Sequence, residues 1–155
     1  MEFITDQSAG YLVNHLARLF ARQLQDRIKP LGLTTGTFPA LLVLWEGDGL
    51  TQRELIDRLD IEQPTLANTL ARMERDGLVI RKKDAVDARA QRIWLTDQAR
   101  ALRAPAIAAA MQVNSEALAG LTEAERDQFL ALMRRIIAGM QKDALDEVED
   151  RQETG

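Results

Sequence analysis

A helix drawn from Gln63 to Asp76 at about 100° per residue puts Leu66, Leu70 and Met73 on one side. Pro64, Asn68, Arg72 and Arg75 fall roughly opposite, with Thr65 at the margin. The outward set has the chemistry of a base-edge reader. The Asn68 carboxamide offers the donor and acceptor that an adenine edge pairs with, and Gln63 could do the same from the first turn. Pro64 and the Thr65 methyl suit a thymine methyl, while Arg72 or Arg75 can reach guanine or phosphate. A polar helix face is ordinarily a solvated surface. What shifts the reading is the segment just downstream, where residues 81–92 hold Arg81, Lys82, Lys83, Arg89 and Arg92 against only Asp84 and Asp87. Net charge decides little here, because the chain carries −4 overall and an average includes faces that never meet a ligand. The middle third, residues 51–103, is the only third with more basic than acidic groups.

A second constellation lies near the start. His15 follows Tyr11 by one helical turn and precedes Arg18 by three residues, so one helix flank would present a phenol, an imidazole and a guanidinium. Phe38 and Leu42 on the next helix could supply an apolar wall, and such a site suits a small aromatic carboxylate with Arg18 as counter-ion. The plainer alternative is a half-buried histidine beside a solvated arginine. Trp45 and Trp94 read as packing residues.

Other chemistries are poorly served. The chain has no cysteine and one histidine, and it lacks a Gly-rich phosphate loop, so no metal site, cofactor or catalytic triad is expected and an enzyme is disfavoured. The segment MEFITDQSAG lacks the pattern of a signal peptide and no run reaches about 18 apolar residues, so a cytoplasmic protein away from membranes is expected.

These residues need elements to position them. Leu12, Leu16, Leu19, Phe20, Leu24 and Ile28 predict a helix over about Asp6 to Lys29, stopped by Pro30 and Gly32. Thr34 or Thr35 would cap a second helix running to Glu46. Thr51 and Glu54 have capping-box spacing, which predicts a short third helix ending near Leu59. The fourth spans Gln63 to Asp76, with Pro64 in its first turn and Gly77 beyond its end. Leu78–Lys83 and Arg92–Leu95 then read as a β-hairpin. Helices follow from Asp97 to about Gly120, kinked by Pro105, and from the capping box Thr122–Glu125 to about Leu145. Phe129, Leu132, Met133, Ile136, Ile137 and Met140 line the last of these with an apolar stripe too long for a small domain to cover. Asp143 to Gly155, with six acidic groups, reads as a frayed tail.

A capped helix, a turn, a second helix and a basic hairpin form a winged helix-turn-helix in outline. The wording of the segments sharpens this: Ile61-Glu62-Gln63-Pro64-Thr65-Leu66-Ala67-Asn68-Thr69-Leu70, then Met73-Glu74-Arg75-Asp76-Gly77-Leu78-Val79, then Asp84, Asp87 and Arg89, then Ile93-Trp94-Leu95-Thr96. Over residues 33–100 the chain resembles the MarR family, and its SlyA-like branch most closely. The resemblance implies a mainly α fold with a small β-hairpin wing and N- and C-terminal dimerisation helices. It divides a single domain, 1–155, into a winged helix-turn-helix at 34–100, dimerisation helices at 1–33 and 101–145, and an acidic tail at 146–155. It also implies a homodimeric regulator, a repressor on a pseudo-palindromic operator in double-stranded DNA, released by a small anionic aromatic effector. Arg89 matches the family's wing arginine in the minor groove, braced by Asp87, with Lys82 adding basic charge. The sequence departs from the pattern at Ala85 and Ala88, where proline and a second basic residue are usual. An effector-independent regulator and a winged-helix protein-interaction module without DNA binding are the alternatives.

Overall fold

The computed structural model describes residues 1–153. Two compact units divide the chain, residues 1–113 and residues 114–155.

In the first unit, a 3₁₀ turn at Thr5–Gln7 leads to helix α1, Ala9–Ile28. The Ser8 hydroxyl caps α1 by accepting the Tyr11 N–H at 3.3 Å, which satisfies one orphan donor of its first turn. The helix therefore starts three residues later than the periodicity suggests. A 3₁₀ turn over Lys29–Leu31 closes on Gly32 at φ 75°. Helix α2 covers Phe38–Glu46 and begins later than a Thr34 or Thr35 cap would place it. Those threonines are used otherwise. The Thr35 N–H donates to Gln25 Oε1 at 3.0 Å and the Thr37 hydroxyl to the Thr34 carbonyl at 3.2 Å, so residues 34–37 form a turn tied to α1.

Strand β1, Leu50–Thr51, precedes helix α3, Gln52–Leu59, whose first turn is capped by Thr51 Oγ accepting the Glu54 N–H at 3.2 Å. Asp60 takes the left-handed conformation at φ 53° and turns the chain toward α4, Gln63–Arg75. Gly77, at φ 72°, ends α4 as expected, with the Leu78 N–H reaching back to the Met73 carbonyl at 2.9 Å. Strands β2, Val79–Lys83, and β3, Gln91–Leu95, pair antiparallel with Val79 opposite Leu95 and Lys83 opposite Gln91. The hairpin is not alone. Leu50 pairs with Ile93, making a three-stranded sheet in the order β1-β3-β2, and a two-residue strand is too short to announce itself by alternation.

Ile28, Leu41, Leu44, Leu55, Leu66, Leu70, Met73 and Ile93 are fully enclosed and form the core under this sheet and α2 to α4. Helix α5, Asp97–Ala117, adds Ala99 and Ala106 to it and carries Pro105 in its interior without a break.

In the second unit, α6 spans Glu123–Glu153. Its capping box is complete: Glu125 Oε1 accepts the Thr122 N–H at 2.9 Å, and the Thr122 hydroxyl accepts the Glu125 N–H at 3.2 Å. Hydrogen bonds from Thr122, its backbone N–H first and its hydroxyl second, hold the Glu125 carboxyl below its ordinary value. The expected fraying from Asp143 is corrected, because the helix continues through Glu153; Thr154 and Gly155 of that tail lie outside the described residues. No glycine or proline interrupts residues 141–153, and acidic charge alone does not break the backbone ladder.

Candidate nucleic-acid interface

Helix α4 presents the side chains that the sequence assigns to it. Leu66, Leu70 and Met73 are buried, while Gln63, Pro64, Thr65, Asn68, Arg72 and Arg75 are exposed. Thr69 is turned inward and returns its hydroxyl to the Thr65 carbonyl at 2.9 Å, so the buried side needs no polar partner from outside the helix. The Arg72 guanidinium lies across Gly36, where an added Cβ would meet Nη1 at 3.2 Å. The 34–37 turn therefore borders the outward face of α4.

The wing is built by carboxylates acting on backbone. Asp84 Oδ1 accepts the Val86 N–H at 3.1 Å and Asp87 Oδ1 accepts the Arg89 N–H at 3.0 Å. Short side-chain-to-backbone bonds of this kind hold turns in shape. Asp87 thus braces the main chain at Arg89, and the Arg89 side chain stands exposed. Asp84 also holds Arg92 at 3.1 Å, and Arg92 Nη1 donates to the Gly49 carbonyl at 2.7 Å, tying the hairpin to the loop before β1. The Val86 N–H is the foremost cause, with Arg92 contributing, of an Asp84 carboxyl held below its ordinary value of 3.8.

Pairing also redraws the basic patch. Arg92 is committed to Asp84, and Arg81 pairs with Glu74 of α4. Lys82, Lys83 and Arg89 remain exposed with no ion pair among the described residues. The patch is smaller than a count of residues 81–92 suggests, and it is concentrated at the hairpin's far end.

Sequence reasoning missed Asp48. Its Oδ2 accepts the Leu95 N–H at 3.0 Å and the Arg100 guanidinium at 2.8 Å, which anchors β3 and the start of α5 to the β1 loop. Beside it Gly49 sits at φ 76°, and an added Cβ would stand 2.7 Å from the Trp94 ring. Trp45 donates its Nε1–H to the Ala99 carbonyl at 3.0 Å, so both tryptophans pack as expected.

The second constellation assembles only in part. Tyr11 and His15 meet edge to face at 6.4 Å on the exposed side of α1, and Arg18 is exposed as well. Phe38 does not offer them a wall, being 3% exposed and set edge-on against Trp45 at 6.0 Å. Leu42 is half-buried against the core. Burial won because Phe38 opens α2 on its core-facing side. Among the described residues no cluster of His, Cys, Asp and Glu could hold a metal ion, and no helix is long and apolar enough to cross a membrane.

Comparison with known proteins places this architecture. The family model described as MarR family matches residues 31–90, from the 3₁₀ turn after α1 to the wing. The transcriptional regulator HosA of Escherichia coli is 33% identical over 123 residues, which cover 79% of this chain and 86% of HosA. Among solved structures, a MarR transcriptional regulator from Methanosarcina mazei Go1 superposes with a TM-score of 0.79 at 25% identity, covering 86% of this chain and 96% of its own. A MarR family regulator from Listeria monocytogenes complexed with 26mer DNA shares the fold at a TM-score of 0.78 and 24% identity, with 92% of each chain covered. The helix-turn-helix with its wing, the matched segment and the identity to a curated regulator together establish that the chain belongs to the MarR family of winged-helix transcriptional regulators.

Proposed function

We propose that this protein is a repressor that binds a pseudo-palindromic operator as a homodimer, with α4 in the major groove and the β2–β3 wing along the adjacent minor groove. The observation that carries this is the row Gln63, Pro64, Thr65, Asn68, Arg72 and Arg75, all exposed over a buried face and flanked by the exposed Lys82, Lys83 and Arg89. Asn68 and Gln63 read base edges, Pro64 and Thr65 contact methyl groups, and the arginines reach guanine or phosphate. Arg89, on a backbone held by Asp87, seeks the negative potential of a narrow groove. The Ile61–Leu70 segment supports a place in the SlyA-like branch, and a cytoplasmic setting follows from acting on DNA.

Selection of bound duplexes from random double-stranded DNA tests the reading. A palindromic consensus with half-sites about 10 bp apart is the expected result. Recovery of no enriched sequence, together with binding that ignores salt, would favour the protein-interaction module, since phosphate contacts must release counterions.

Relief by an aromatic carboxylate rests on Tyr11, His15 and Arg18 with the half-buried Leu42, since Phe38 is enclosed in the core. Salicylate titrated into the protein–operator complex should release DNA, and Arg18→Ala should abolish that release. An unmoved complex would identify an effector-independent regulator.

A further inference from the structure

The ion pair between Glu74 and Arg81 joins the two elements assigned to DNA. Glu74 lies on the flank of α4, about 100° beyond the buried Met73. Arg81 occupies the third position of β2, on the same strand face as the buried Val79 and opposite Ile93 across the ladder. The two side chains are only 40% and 24% exposed, so the pair is partly shielded from solvent. Between α4 and β2 the chain has only residues 76–78, with Gly77 in the left-handed region. Past Arg81 the hairpin becomes exposed: Lys82, Lys83, Ala85 through Arg89 and Gln91 all face solvent. Glu74–Arg81 is thus the ion pair that ties α4 directly to the wing, one register step inside the Arg92–Gly49 bond that holds the hairpin to the loop before β1.

We infer that Glu74 and Arg81 are positioning residues for DNA recognition: Arg81 is a strut set by Glu74 and not a phosphate ligand, and the pair holds the wing at the angle at which Arg89 and Asn68 engage one duplex together. The inference rests on the docking described under Proposed function. Its physical basis is that two contacts on one rigid body act as a single bivalent one, and loosening the joint between them lowers the effective concentration of the second contact without removing either. The opposite role makes an opposite prediction. If Arg81 were a phosphate ligand, Glu74 would compete with DNA for it, and neutralising Glu74 would strengthen binding.

The test uses full-length protein and two fluorescent duplexes, one selected by the wild type from random DNA and one of random sequence, in anisotropy titrations at several salt concentrations. Glu74→Gln, Arg81→Gln and the double variant should each lose about three- to tenfold in affinity for the selected duplex. The double variant should lose no more than either single one, because both remove the same joint. The slope of log affinity against log salt should stay at the wild-type value in all three, since no phosphate contact is removed. A slope flatter by about one unit per subunit in Arg81→Gln, combined with unchanged or tighter binding by Glu74→Gln, would overturn the inference. Losses that add in the double variant would overturn it as well. Melting temperatures accompany each titration, and an affinity loss that disappears when corrected for the unfolded fraction would reduce the pair to a structural one. Wild-type protein that selects no duplex would defeat the docking model itself, which is a distinguishable result.

Discussion

Asn68 and Arg89 touch DNA in different ways on this reading, and their variants separate those ways. Asn68→Ala removes a bidentate partner of a base, so it should cost about 1–3 kcal/mol on the selected operator and leave random DNA nearly unchanged. Arg89→Ala removes a charge that has no ion pair among the described residues, so operator and random DNA should weaken alike and the salt slope should flatten by about one unit per subunit. Identical loss profiles for the two variants would show that helix and wing are wrongly assigned. Asp84 belongs to the same scale. Its folded carboxyl titrates below its ordinary value of 3.8, because the Val86 N–H and then Arg92 favour the charged form. A depressed carboxylate stabilises the fold above the unfolded value, and that contribution disappears as pH falls through the folded one. The Asp84 contribution to wing order should therefore be complete above its ordinary value of 3.8 and weaken only as pH falls below it. Asp84→Asn should remove that acid transition, as followed by amide exchange at Val86.

Among the elements, the small sheet depends on one glycine. Gly49 combines φ 76° with a Trp94 ring that a Cβ would approach to 2.7 Å, so neither the backbone nor the space admits a side chain. Gly49→Ala should destabilise by about 2–4 kcal/mol, from left-handed strain plus displacement of the ring. Calorimetry should then register a melting temperature lower by roughly 5–15 °C. Gly10 is the control: nothing lies within 4 Å of its added Cβ, and it sits in α1, where alanine is the better helix former. Gly10→Ala should leave stability unchanged or raise it slightly. Equal melting temperatures for wild type and Gly49→Ala would show that the β1 loop yields without cost.

At the scale of the whole molecule the unexplained feature is exposed apolar surface. Helix α6 has 31 residues, about 46 Å of helix, and leaves Ile136, Ile137, Met140, Leu145 and Val148 exposed. Leu12 and Leu16 stand exposed on α1. Apolar stripes of that extent ordinarily mark an interface, and the proposed homodimer covers them with a second copy. Light scattering at micromolar concentration should give about twice the chain mass of 17.4 kDa, and Ile136→Asp should shift the protein toward monomer. A wild-type monomer would sink the dimer and with it the palindromic operator. Two copies also set a distance: displacing one half-site by about 5 bp should abolish tight binding, because it rotates that site to the far side of the duplex.

The outward row of α4, its buried stripe and its end at Gly77 were legible from sequence, because helical period, caps and left-handed glycines are local properties of neighbouring residues. The hydroxyl cap at Thr51 and the complete capping box at Thr122 were legible for the same reason. Which charges stay free was not. Arg81 and Arg92 looked like part of a basic patch until α4 brought Glu74 to one and the wing turn and Gly49 loop enclosed the other. Asp48 reaches Leu95 across 47 positions of sequence, a pairing no spacing rule contains. Strand β1 exists only because β3 lies beside it, and Phe38 is buried edge-on against Trp45 instead of standing beside the aromatic flank of α1. Local preference determined the helices, the β2–β3 hairpin and the faces they turn outward; tertiary packing decided β1 and which ionic and aromatic groups remain available, since strand pairing, charge pairing and burial depend on neighbours distant along the chain.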